Sequence, residues 1–133
     1  MKPWIRSVLA VAAGFLITAV ASTVTDAIMH AIGIFPSLPG SMSNSLFALA
    51  SAYRALFTVA GGFVTARLAP DSPMRHVWIL AGIGLAAGLA GMVLYFVVGG
   101  AQLGPAWYPA LIAIEAIPCV WFGGRLASGV RSR

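Results

Sequence analysis

Charge is what this chain has least of: 8% of its 133 residues are charged, as eight Lys or Arg and three Asp or Glu. A soluble domain carries about a quarter, so this composition does not supply a water-facing shell. The basic residues are scattered, without the aromatic-interleaved patch of a nucleic-acid site, so nucleic acid is not an expected partner. One cysteine, Cys119, excludes an internal disulfide, a CxxC redox pair and a thiolate metal cluster. The only histidines, His30 and His76, are expected near opposite faces of the membrane, which argues against a haem held between them. HExxH, GxSxG, a Walker loop and a Cys/His cluster are all missing. No cofactor is expected, and the reading leans toward a non-enzymatic role.

Hydrophobicity takes the place of charge: 60% of residues are hydrophobic and the mean hydropathy is +0.95. Crossing a bilayer takes about 20 apolar residues, and four such runs occur, at about 7–29, 46–68, 76–98 and 107–126. The connections between them are rich in the Gly, Pro, Ser and Asn that end helices. The expected fold is an all-α integral membrane protein, a single four-transmembrane-helix bundle filling residues 1–133.

Cations fix the expected direction. Lys2 and Arg6 precede the first run, Arg67 and Arg75 flank the second turn, and Arg125, Arg131 and Arg133 close the chain, while the first and third turns hold none. The positive-inside rule then puts both termini in the cytoplasm, with a bacterial inner membrane as the expected location. Residues 1–22 also have the basic head and apolar middle of a signal peptide, with Ala19-Val20-Ala21 as a cleavage form. The apolar run continues past that site to Met29, which favours an uncleaved first helix.

Helices associate in lipid through small residues and polar contacts. Gly84, Gly88 and Gly91 fall on one face of the third run with Ala81 and Tyr95, and are read as an internal packing face ahead of a dimer seam. Gly61-Gly62 and Gly123-Gly124 lie near the same end of the second and fourth runs, each close to an Arg-Leu-Ala triplet. A duplicated hairpin and coincidence both explain that pattern.

The residues that do not belong in an apolar run are Arg54 and Glu115. Each lies eight residues into its run, counted from Leu46 and Trp107, about 12 Å down a helix. A lone intramembrane charge costs about 2.5–3.5 kcal/mol on insertion scales. The planar fork of Arg can hold a carboxylate through two bonds, so an Arg54–Glu115 pair is the expectation. Asp26 and His30, one turn apart near the far end of the first helix, are candidates to join them, with Arg54 reaching Asp26 as well. Pro118 frees the carbonyl of Ile114 beside Glu115. Asp26 and His30 supply two ligands where zinc takes three or four, with Glu115 a third only if the bundle brings it close, so no metal is expected.

The functional expectation is a small inner-membrane protein, structural or accessory, whose polar cluster of Asp26, His30, Arg54 and Glu115, in the outer half of the bundle, either organises the helices or forms a binding site facing the outer side. The alternative is a small-solute or proton-coupled transporter or channel with Arg54 and Glu115 at its site. Expected partners are membrane lipids and either further copies of the chain or a larger membrane complex.

Overall fold

A computed structural model describes residues 1–37, 42–100 and 104–132. It contains four helices, α1 (Pro3–Ala31), α2 (Asn44–Leu68), α3 (Pro73–Val97) and α4 (Trp107–Arg131). Each is long and apolar enough to cross a membrane. The four runs legible in the sequence are these helices; α1 is longer at both ends, α2 and α3 at their starts and α4 at its end. Proline tolerates a helix's first turn, where its missing N–H has no partner to lose, so α1 and α3 begin at Pro3 and Pro73. α4 runs on to Arg131, five residues past the end of its apolar run, because a helix does not stop where its surroundings become polar. Ser43 caps α2, its hydroxyl accepting from the Leu46 N–H at 3.4 Å. Arg133 lies outside the described residues, as do parts of the first and third turns.

Helix order around the bundle is α1, α2, α4, α3. α2 packs most extensively on α4, while α1 meets α2 broadly and α3 only sparsely. α2 also reaches α3 across the bundle, whereas α1 and α4 do not meet. Both termini and the α2–α3 turn share one end, and the other two turns share the opposite end.

Glycine makes the close crossings. A Cβ at Gly14 would sit 2.6 Å from the Gly61 carbonyl oxygen, and one at Gly61 would sit 2.6 Å from that of Gly14. α1 and α2 therefore touch backbone to backbone there. Thr65, fully buried, donates to the Ala10 carbonyl at 3.1 Å, and Thr18 donates to Phe57 of α2 at 3.2 Å. In a dry interface such hydroxyl bonds and small residues replace the hydrophobic drive.

α2 and α4 cross by a reciprocal contact. A Cβ at Gly62 would strike the Val120 carbonyl, and one at Gly123 would strike the Val59 carbonyl. Exchanging 59 and 62 with 120 and 123 is a local two-fold between parallel helices. The Arg-Leu-Ala triplets are three residues out of register with that exchange, so they do not mark it. Gly124 receives Val77 of α3, a Cβ there lying 2.8 Å from a Val77 methyl. Within each glycine pair, one residue faces the neighbour in its own hairpin and the other faces the other hairpin.

Around these crossings, at the termini-bearing end, lies a small-residue core with Ala66, Val77, Leu80, Ala81, Val120 and Ala127. The opposite end is held by Phe35, Ala50 and Tyr53, packed with Met29, Phe57 and Tyr108. The outer surface is apolar: Leu56, Val93, Phe96 and Ile114 are each at least 60% exposed. Trp4, Trp78, Trp107 and Trp121 also face outward. Such a surface suits lipid and suggests a membrane location.

Candidate functional site

Above the glycine crossings, toward the end opposite the termini, lies a cavity of about 420 Å³ to which all four helices contribute and which opens to the surface between α1 and α3, where Phe15, Thr23, Ala87 and Gly91 are exposed. Its floor is Leu80 and Val120, both members of the buried core. Its walls carry Thr18 and Ser22 from α1, Arg54 and Thr58 from α2, Gly84, Gly88 and Gly91 from α3, and Tyr108 and Glu115 from α4. The cavity exists where α1 and α4 fail to meet, so a largely apolar void edged by a few polar groups stands where a symmetric bundle would have a fourth contact.

Arg54 and Glu115 lie at the same level, as the residue count predicts. The exchange that relates the α2 and α4 glycines also carries position 54 onto 115. Both line the cavity, but they form no ion pair; the partner of Arg54 is Asp26. Arg54 stands two turns from Gly61, hence on the same face of α2, the face laid on α1. On α1 the positions 14, 18, 22 and 26 make one stripe, and its last member meets the guanidinium. Azimuth, which a depth count does not contain, decides the pair.

Asp26 is used twice. One carboxylate oxygen accepts from an Arg54 terminal nitrogen and the other from the Tyr53 hydroxyl. Both side chains of the ion pair are 30% exposed. The Arg54 Nε is buried without a hydrogen-bond partner. Thr58 donates back to the Arg54 carbonyl at 2.7 Å and Thr25 to that of Ala21 at 2.7 Å, which satisfies these hydroxyls within their own helices.

Glu115 is half-buried and, among the described residues, makes no hydrogen bond or ion pair. With Arg54 held by Asp26, the carboxyl of Glu115 is the one acidic group of the cavity wall that has no partner. His30 does not join the cluster: it is exposed and its ring stands edge-on to Phe35 at 5.4 Å. Being one turn from Asp26 put it on a similar face, but the turn after α1 folds Phe35 under the ring instead. Pro118 and Ile114 are exposed and neither lines the cavity, so the carbonyl freed by the proline is not on a cavity residue. Among the described residues no group of three or more His, Cys, Asp and Glu stands close enough to share a metal ion.

The three α3 glycines divide. A Cβ at Gly84 would lie 3.2 Å from the Ala116 methyl and one at Gly88 2.6 Å from the Ala113 Cα, so these two pack on α4. Nothing lies within 4 Å of a Cβ at Gly91, which leaves that position to widen the cavity. Two tyrosines were not apparent as site residues in the sequence. Tyr108 reads as an interfacial aromatic yet turns inward against Phe47 at 4.9 Å. Tyr53 carries one usable signal, its place beside Arg54 at the level of Asp26.

No protein-family model, curated protein or solved structure matches this chain.

Proposed function

We propose that this is a membrane protein whose four-helix cavity binds a small cationic solute, with Glu115 as the counter-charge. The observation that carries this reading is the unpartnered Glu115 carboxyl in a cavity where the one cation, Arg54, is already paired. A charge kept only to lock helices would be expected to face its partner, as Arg54 and Asp26 do. An unpaired carboxylate in a low-dielectric wall favours a compensating positive charge, from a proton or from a bound cation. The volume falls in the range of small-molecule sites, about 300–1,000 Å³. The glycine wall of α3 offers flat apolar surface to the remainder of such a ligand.

In this reading the termini face the cytoplasm of a bacterial inner membrane, by the asymmetry of the cations, and the cavity lies in the outer half of the bilayer. Because Leu80 and Val120 close its floor, the chain acts as a binding protein or as one half of a pathway. Passage across the membrane would require a second copy or a larger complex. The Asp26 tie to Tyr53 and Arg54 supports the architectural role and fixes α1 to α2 beside the cavity.

The test is charge selectivity between two ions of nearly equal size and shape. Purified protein in detergent should bind tetraphenylphosphonium at least ten times more tightly than tetraphenylborate. Equal binding of the two, or preference for the anion, would remove the reading.

A further inference from the structure

A second hollow lies at the termini-bearing end, further along the α1–α3 seam and adjoining the cavity at Phe15, which lines both. It is a groove of about 720 Å³ between the first half of α1 and the first half of α3, where these helices have little contact. Its walls are apolar along their length, with Val8, Val11 and Phe15 on one side and Ile79 and Ile83 on the other. Polar groups collect at one end only: Ser7, Asp71, Arg75 and His76.

We infer that this groove holds one anionic phospholipid, its phosphate at Arg75 and an acyl chain laid between α1 and α3. Length supports a lipid. From Pro3 to Phe15 the helix rises about 18 Å at 1.5 Å per residue, close to the roughly 15 Å of one leaflet's hydrocarbon. The groove therefore runs from the interface to about mid-membrane, the course of a single chain. Trp4, 64% exposed, stands at the polar end of the groove, where an indole favours the headgroup level.

Charge supports an anionic headgroup. Among the described residues every Lys and Arg except Arg54 lies toward this end of the bundle, against one acid, Asp71. Arg75 is exposed, lines the groove and, among the described residues, forms no ion pair, although Asp71 precedes it by four residues. Lys2, at the cap of α1, and Arg6, in its first turns, add positive charge at the same end. The His76 ring, 4% exposed, lines the groove with its Nδ1 held 3.2 Å from the Ser72 carbonyl, which fixes the orientation of the imidazole. Basic hollows between membrane helices on the cytoplasmic side are suited to anionic headgroups.

The experiment compares dioleoyl phosphatidylglycerol with dioleoyl phosphatidylcholine, titrated into the full chain in detergent, with thermal unfolding and native mass spectrometry as readouts. Phosphatidylglycerol should raise Tm and be retained at one per chain, with apparent affinity at least fivefold above that of phosphatidylcholine. Arg75→Gln should weaken it about fivefold, the factor expected of one basic residue at an anionic surface. Ile79→Trp, which fills the groove without touching a charge, should lower occupancy of both lipids. Asp71→Asn should bind as tightly or more tightly, and Arg131→Gln, remote from the groove, should bind as wild type does. Equal affinity for the two lipids would overturn the inference, as would an Arg131→Gln loss as large as that of Arg75→Gln.

Discussion

The partner of Arg54 can be decided by two double-mutant cycles sharing one arginine. Asp26→Asn removes the charge but keeps a carbonyl for the Tyr53 hydroxyl, so it isolates the ionic part of the tie. Removing one partner of a fully buried pair costs about 3–5 kcal/mol. Here both side chains are 30% exposed, and the orphaned guanidinium can turn toward the cavity and Glu115. We therefore expect a loss of about 2 kcal/mol for Asp26→Asn. Combined with Arg54→Gln, the cycle should give a coupling of about 1–2 kcal/mol, within the range for residues in direct contact. The cycle of Arg54→Gln with Glu115→Gln should give less than about 0.5 kcal/mol, the level of side chains that share no contact. Glu115→Gln alone should leave stability unchanged or raised, because it removes an unpartnered charge. The assay is reversible unfolding in mixed micelles, followed by circular dichroism. A stronger Arg54–Glu115 coupling than Arg54–Asp26 coupling would refute the azimuthal argument and restore the pairing suggested by depth alone.

Three further outcomes follow from the packing. Gly62→Ala and Gly123→Ala should each destabilise by about 1–3 kcal/mol through overpacking against facing backbone, whereas Gly91→Ala, with open space around it, should be neutral; melting temperatures in detergent separate them. Thr65→Val keeps the shape and loses the 3.1 Å bond to the Ala10 carbonyl, and should cost about 0.6–1.7 kcal/mol in the same assay. A C-terminal green fluorescent protein fusion should fluoresce in cells and a C-terminal alkaline phosphatase fusion should be inactive, as a cytoplasmic terminus requires; the opposite pattern would invert the topology and place the cavity in the inner half.

Much of the architecture is legible in the sequence because its signal is one of solvent. Runs of about 20 residues nearly free of charge, separated by Gly, Pro and Ser, leave few alternatives to four helices. Their ends are less legible: α4 extends to Arg131 because nothing about a polar neighbourhood terminates a helix. The common depth of Arg54 and Glu115 can be counted, since helical rise is constant. Their lack of contact cannot, because it depends on which neighbour each face meets. The Gly61-Gly62 pair illustrates this limit. Either glycine could have faced α1, and the choice that puts Gly61 there also turns Arg54 toward Asp26. His30 shows the same limit at a helix end, where the path of the turn and the position of Phe35 decide what the ring touches. Tyr53 was hidden for a related reason, since its hydroxyl matters only once α1 and α2 are docked in this register.

The most direct measurement is equilibrium binding of tetraphenylphosphonium to wild type, Glu115→Gln and Asp26→Asn in detergent, with each variant's folding checked by circular dichroism. A cavity whose counter-charge is Glu115 predicts at least a tenfold loss for Glu115→Gln. Asp26→Asn, which frees Arg54 to neutralise Glu115, should also weaken binding, by a smaller factor. Unchanged affinity in a folded Glu115→Gln protein would contradict the account.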